Sequence, residues 1–81
     1  MQKTTEPYTN KPLHPSATSF TELALRYNPR MSAKSARRIL HEWIKTNHSL
    51  KEELSMLAWT TTARILTPRQ VKAIYEWLGE P

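Results

Sequence analysis

The stretch SAKSARRILHEWIKT, Ser32 to Thr46, decides the fold. Its apolar residues Ala36, Ile39, Leu40, Trp43 and Ile44 recur at the spacing of a helix with one buried side. Ser32 stands where an N-cap oxygen takes up a free backbone amide. At about 100° per residue, Lys34, Arg37, Arg38, His41 and Lys45 fall within roughly 100° of one another on the other side. The stretch therefore predicts a helix over 33–46 with a core stripe and a basic face.

Working outward, Ser19-Phe20-Thr21-Glu22 has the form of a capping box, in which the serine oxygen takes one free amide and the glutamate another. Phe20, Leu23, Ala24 and Tyr27 then make one apolar face, and Asn28-Pro29 stops the helix because the residue before proline avoids helical geometry. On the C-terminal side, Ser49-Leu50-Lys51-Glu52 reads as a second capping box, and Leu50, Leu54, Leu57 and Ala58 give the third helix its apolar side. Thr60-Thr61-Thr62 is β-branched and polar, so 60–66 reads as a loop with room for a short extended piece. Thr67-Pro68-Arg69-Gln70 combines an N-cap threonine, a proline in the first turn and a glutamine at the third position. Val71, Ile74, Tyr75 and Leu78 form the face of the fourth helix, and Gly79 suits a left-handed cap.

The expected fold is thus all-α: a small four-helix domain over 19–81, with helices at 20–28, 33–46, 50–58 and 68–78. Its expected core is Phe20, Leu23, Tyr27, Ile39, Leu40, Trp43, Ile44, Leu54, Leu57, Val71, Ile74 and Leu78. Residues 1–18 carry Pro7, Pro12 and Pro15 among polar neighbours and read as a flexible basic tail. Eighty-one residues is one domain at most, and a core this small leaves homodimerisation as a route to further burial.

The pattern Glu22-Leu23-Ala24, Tyr27, Pro29, Ser35-Ala36-Arg37-Arg38, Leu40, Trp43-Ile44, Leu50, Leu54, Leu66-Thr67-Pro68-Arg69-Gln70-Val71 and Leu78-Gly79-Glu80-Pro81 resembles a family of short bacterial proteins, DUF4248. The resemblance covers residues 20–81 and is most specific in the Leu-Thr-Pro-Arg-Gln-Val and Leu-Gly-Glu-Pro runs. It implies a stand-alone small domain and carries no activity with it.

The net charge of +5 is unevenly spread. Residues 20–48 hold Arg26, Arg30, Lys34, Arg37, Arg38 and Lys45 against Glu22 and Glu42, whereas the four cations of 49–81 are balanced by four glutamates. A localised excess points to an anionic partner. A helix, a turn and a second helix bearing outward Arg and Lys is also the layout of a helix-turn-helix. Nucleic acid, DNA first, is the expected partner, with Lys34, Arg37, Arg38 and Lys45 on phosphates or guanine edges and Arg30 clamping from the turn. The turn Asn28–Ser32 is longer than the usual one and lacks its glycine. The plainer account is a solvated face, since lysine and arginine are good helix formers. A different reading makes the chain a helical adaptor or homodimer that uses an apolar patch of Leu25, Trp59 and Trp77.

Other chemistries find little support. With no cysteine there is no thiolate site, and Lys45 between His41 and His48 opposes a cation, so no metal or cofactor is expected and both histidines read as solvated. With Gly79 the single glycine there is no phosphate-cradling loop, and no nucleophile is paired with an oriented base, so neither an enzyme nor a small-molecule substrate is expected. No apolar run reaches membrane length and Met1–Asn10 has no apolar leader core, which predicts a cytoplasmic protein without a membrane partner.

Overall fold

Each helix begins where a side-chain oxygen caps it. The computed structural model describes residues 16–81, so the expected tail lies outside the described residues except for its last three positions. The element order is β1 (Thr18–Ser19), α1 (Phe20–Tyr27), α2 (Ala33–Thr46), α3 (His48–Met56), β2 (Ile65–Leu66) and α4 (Pro68–Leu78). Mostly helical is the right class, with one addition: β1 and β2 pair antiparallel, Thr18 opposite Leu66 and Ser19 opposite Ile65. Thr18, grouped with the tail by composition, is therefore tied to the body.

Three N-caps fall as expected. The side-chain oxygens of Ser19, Ser32 and Thr67 accept from the amides of Glu22, Ser35 and Gln70. The box at Thr67 is complete, because Gln70 Oε1 accepts the Thr67 amide at 2.9 Å. Gln70 is buried, and its Nε2 donates to the Leu57 carbonyl at 2.9 Å, joining the start of α4 to the end of α3. The box at Ser19 is only half made. The Glu22 carboxylate accepts the Thr18 hydroxyl and lies 3.8 Å from Arg26 instead of returning to the backbone. The expected box at Ser49 is absent. Asn47 caps α3, its side chain accepting from the Leu50 amide, while its own amide closes α2 on the Trp43 carbonyl. One residue serves both ends because no spacer separates the two helices. His48 accordingly opens α3 and does not sit at the end of α2.

The end of α3 directs the chain inward. Ala58 takes φ 67°, the left-handed region. Its amide bonds to the Ser55 carbonyl, and the Trp59 amide bonds to the Leu54 carbonyl at 2.9 Å. These are the two hydrogen bonds of a Schellman motif, with alanine where glycine is usual. At the other end Gly79 has positive φ, as expected, but ψ 167°, so it is not a left-handed cap; it occupies a region essentially restricted to glycine.

The core joins Phe20, Leu23 and Ala24 of α1, Ala36, Leu40 and Ile44 of α2, Leu50 and Leu54 of α3, and Val71, Ala73 and Ile74 of α4, with Trp59 and Leu66 between helices. Two tryptophans exchange their expected places. Trp59 is 7% exposed and Trp43 is 37% exposed. Ile39 is only partly buried, and Tyr27, Leu57 and Leu78 pack at the core's edge. On the helical wheel the buried arc of α2 is turned by roughly 30° from the expected one, away from Ile39 and Trp43 and toward Arg37 and His41. The cause is aromatic. His41 stacks on Phe20 with centroids 4.3 Å apart, and Trp59 lies 6.2 Å from Phe20 and 6.1 Å from His41. His41 is therefore partly buried, not solvated as expected.

Tyr27 clasps the two ends of the domain. Its ring meets Trp43 edge-on at 5.8 Å, and its hydroxyl donates to the Gly79 carbonyl. Burial first, then Tyr75 and Glu80, push its pKa up to about 12.

Two outcomes follow from this architecture. Ala58→Gly relieves a left-handed alanine and should raise stability by about 1 kcal/mol in urea denaturation; an unchanged or lower midpoint would contradict the strained cap. Because the Tyr27 phenol ionises later folded than unfolded, its contribution is whole below pH about 10 and lost as pH rises toward 12. Stability should fall across that window, and Tyr27→Phe should show a shallower alkaline loss.

Candidate functional site

The outward side of α2 carries Lys34, Arg38 and Lys45, all exposed, within an arc of about 40°. From Lys34 to Lys45 the strip runs about 16 Å along the helix at 1.5 Å per residue. None of the three is paired with a carboxylate among the described residues. Arg30, also exposed, stands in the turn that leads into the helix.

Arg37 does not belong to that strip. The turn of α2 that buries His41 brings Arg37 against α1, where its Nη1 donates to Thr21 Oγ1 at 3.3 Å. It is partly buried and lines a cavity of about 600 Å³. The cavity lies between the N-terminal end of α1, the Arg37–His41 edge of α2 and the loop 61–65. Arg64 lines it from the loop, with the hydroxyl residues Thr21, Thr61 and Thr62 and the apolar Phe20 and Ile65. The loop is fixed in place because the Phe20 amide donates to the Arg64 carbonyl at 2.8 Å, next to the β1–β2 pair. No carboxylate lines the cavity.

A second hollow of about 410 Å³ lies on the other side of His41 and Thr61, lined also by Ile44, Lys45, Lys51 and Trp59. Two ring nitrogens at this junction, His41 Nε2 and Trp59 Nε1, are buried without a hydrogen-bond partner. An indole N–H can only donate, and a neutral imidazole with its proton on Nδ1 accepts at Nε2, so the two atoms are complementary in kind.

The apolar patch expected from Leu25, Trp59 and Trp77 is not assembled, because Trp59 is in the core and Leu25 is half-buried against it. Trp77 is 47% exposed and donates its indole N–H to Glu53 Oε1 at 2.9 Å, linking α4 to α3. Among the described residues no three His, Asp or Glu side chains are grouped to hold a metal ion, and no helix is long and apolar enough to cross a membrane.

Sequence reasoning missed Arg64, Thr61 and Thr62. They lie in a loop without periodicity, and only the two-residue strand pair brings them to α1. A family model, DUF4248, a domain of unknown function, matches residues 16–81, and the chain belongs to that family. No curated protein and no solved structure matches it.

The neighbours Arg37 and Arg38 should differ on truncation. Arg37→Ala gives up a hydrogen bond between helices and should cost on the order of 0.5–1.5 kcal/mol. Arg38→Ala should stay within about 0.5 kcal/mol of the parent, as exposed substitutions do. Equal effects in thermal or urea denaturation would place both guanidiniums in solvent.

Proposed function

We propose that this member of a domain family without assigned function is a nucleic-acid-binding module, with duplex DNA as the first ligand to test. The observation that carries the proposal is the exposed strip Lys34, Arg38 and Lys45 on one side of α2, unpaired with carboxylates among the described residues. Arg30 supports it from the turn. Three cations along about 16 Å of a helix suit contact with successive phosphates. The helix is braced from behind, since Ala36, Leu40 and Ile44 are buried with Leu23 and Ala24 of α1 in one cluster. A helix held in this way can enter a major groove, which is the sense in which the α1–turn–α2 unit is like a helix-turn-helix. Arg37, one of the five residues first expected to bind, is left out of the strip by its bond to Thr21.

Fluorescence anisotropy with a labelled duplex, repeated across salt, tests this reading. With three phosphates neutralised, log affinity should fall against log salt with a slope of about −2.7, roughly −0.9 for each contact. The triple variant Lys34→Gln, Arg38→Gln, Lys45→Gln should lose binding while its circular dichroism stays that of the parent. Absence of binding at low salt, or a triple variant that binds as the parent does, would overturn the proposal and leave the strip as a solvated helix face.

A further inference from the structure

We propose that the cavity between α1, α2 and the 61–65 loop is a second, separate site that takes a phosphate monoester. Arg37 and Arg64 supply its charge, Thr21, Thr61 and Thr62 line it with hydroxyl groups, and no carboxylate opposes an anion there. The arginines set the class of ligand. A guanidinium offers five N–H donors in a planar fork, and Arg37 spends one of them, on Thr21 Oγ1. That oxygen accepts from Arg37, which leaves the Thr21 O–H able to donate to a ligand. Two forks and the hydroxyls of Thr21 and Thr61, with Thr62 Oγ1 already hydrogen-bonded to Thr60 Oγ1, are more donors than one carboxylate can use. They match the terminal oxygens of a phosphate monoester, which carries a charge of about −1.5 to −2 at neutral pH. In the first turn of α1 the Phe20 and Glu22 amides are bonded to the Arg64 carbonyl and to Ser19 Oγ, so the Thr21 amide is the one that turn adds to the cavity wall.

Size extends the argument. A volume of about 600 Å³ exceeds what a phosphate group alone fills and falls within the range of small-molecule sites. The apolar wall of Phe20 and Ile65 gives an organic substituent a surface to lie on. The ligand is therefore a phosphate monoester with a flat or apolar body. Two sources share that chemistry: a free small phosphomonoester and the terminal phosphate of a nucleic-acid strand. The site does not share a residue with the strip Lys34, Arg38 and Lys45, so the two proposals stand or fall separately.

The experiment is a ¹H–¹⁵N correlation titration of the full chain with adenosine 5′-monophosphate, with adenosine as the control. The monophosphate should shift the amides of Thr21, Arg37 and residues 61–65 in a saturable way, and adenosine should not. Arg64→Gln, an exposed position whose side chain the core does not use, should weaken the monophosphate about tenfold, the value of one charge-assisted contact. The triple variant of the strip should leave that affinity unchanged. A 5′-phosphorylated oligonucleotide that binds the parent more tightly than its 5′-hydroxyl twin, with the difference lost in Arg64→Gln, identifies the strand end as the source. Equal binding of the two oligonucleotides, with the monophosphate still bound, identifies the free phosphomonoester. Shifts that are absent from these amides, that adenosine reproduces, or that survive Arg64→Gln at full affinity would overturn the site.

Discussion

The stack of Phe20 on His41, with Trp59 beside both, sets the rotation of α2, and most of the surface follows from that rotation. Three aromatic rings from three parts of the chain meet at one edge of the helix. Aromatic pairs contribute about 0.5–1.5 kcal/mol beyond the area they bury, and this favours the His41 edge although the Ile39–Trp43 edge is the more apolar of the two. With His41 drawn inward, Arg37 is carried against Thr21 and the opposite edge of the helix, with Trp43, is carried out to Tyr27. The separation of one basic face into an exposed strip and a cavity-lining arginine is a consequence of this packing.

The helices were legible because their period and their caps agree. Ser32, Thr67 and Gln70 act as their positions suggest, and Val71 and Ile74 of α4 are buried as expected, although Gln70 and Ala73 are buried beside them while Tyr75 and Leu78 stay at the core's edge. The third helix shows where local signals compete. Ser49-x-x-Glu52 is a good capping pattern, but Asn47 caps two residues earlier because its amide also completes α2. A pattern rule weighs each helix end alone and cannot see that one residue satisfies two. The burial of Trp59 was illegible for a different reason. It depends on a Schellman turn through a left-handed alanine, a conformation that residue type disfavours by roughly 1–2 kcal/mol. Nothing near Ala58 in the sequence announces it; the burial of the indole offsets the strain.

Of the basic side chains, Lys34, Arg38 and Lys45 could be read directly, since spacing along a helix fixes which cations share a side. Arg37 could not, because it lies at the boundary of the buried arc and a turn of about 30° decides its side. Arg64 and its threonine neighbours needed a contact far apart in sequence. The pairing of Thr18 with Leu66 and Ser19 with Ile65 is too short to leave any alternation in the sequence, yet it lays the 61–65 loop across the start of α1. Local rules recover what one helix presents and lose what two distant segments build together.

The two proposed anion sites differ in the chemistry of their cations. Two of the three strip residues are lysines, strongly hydrated point charges on flexible stems that follow a line of phosphates without fixing its geometry. The cavity uses arginines. One is held by a side-chain hydrogen bond, and the other sits on a loop whose carbonyl is bonded to the α1 backbone. A planar fork held in place loses little entropy when it binds and is selective for the shape of its acceptor. The strip is accordingly suited to sequence-independent attraction, which weakens with salt, and the cavity to recognition of one group. Because the same rotation of α2 produces both, a substitution that repacks Phe20, His41 or Trp59 alters the two sites together, while changes at Arg64 or at the strip separate them.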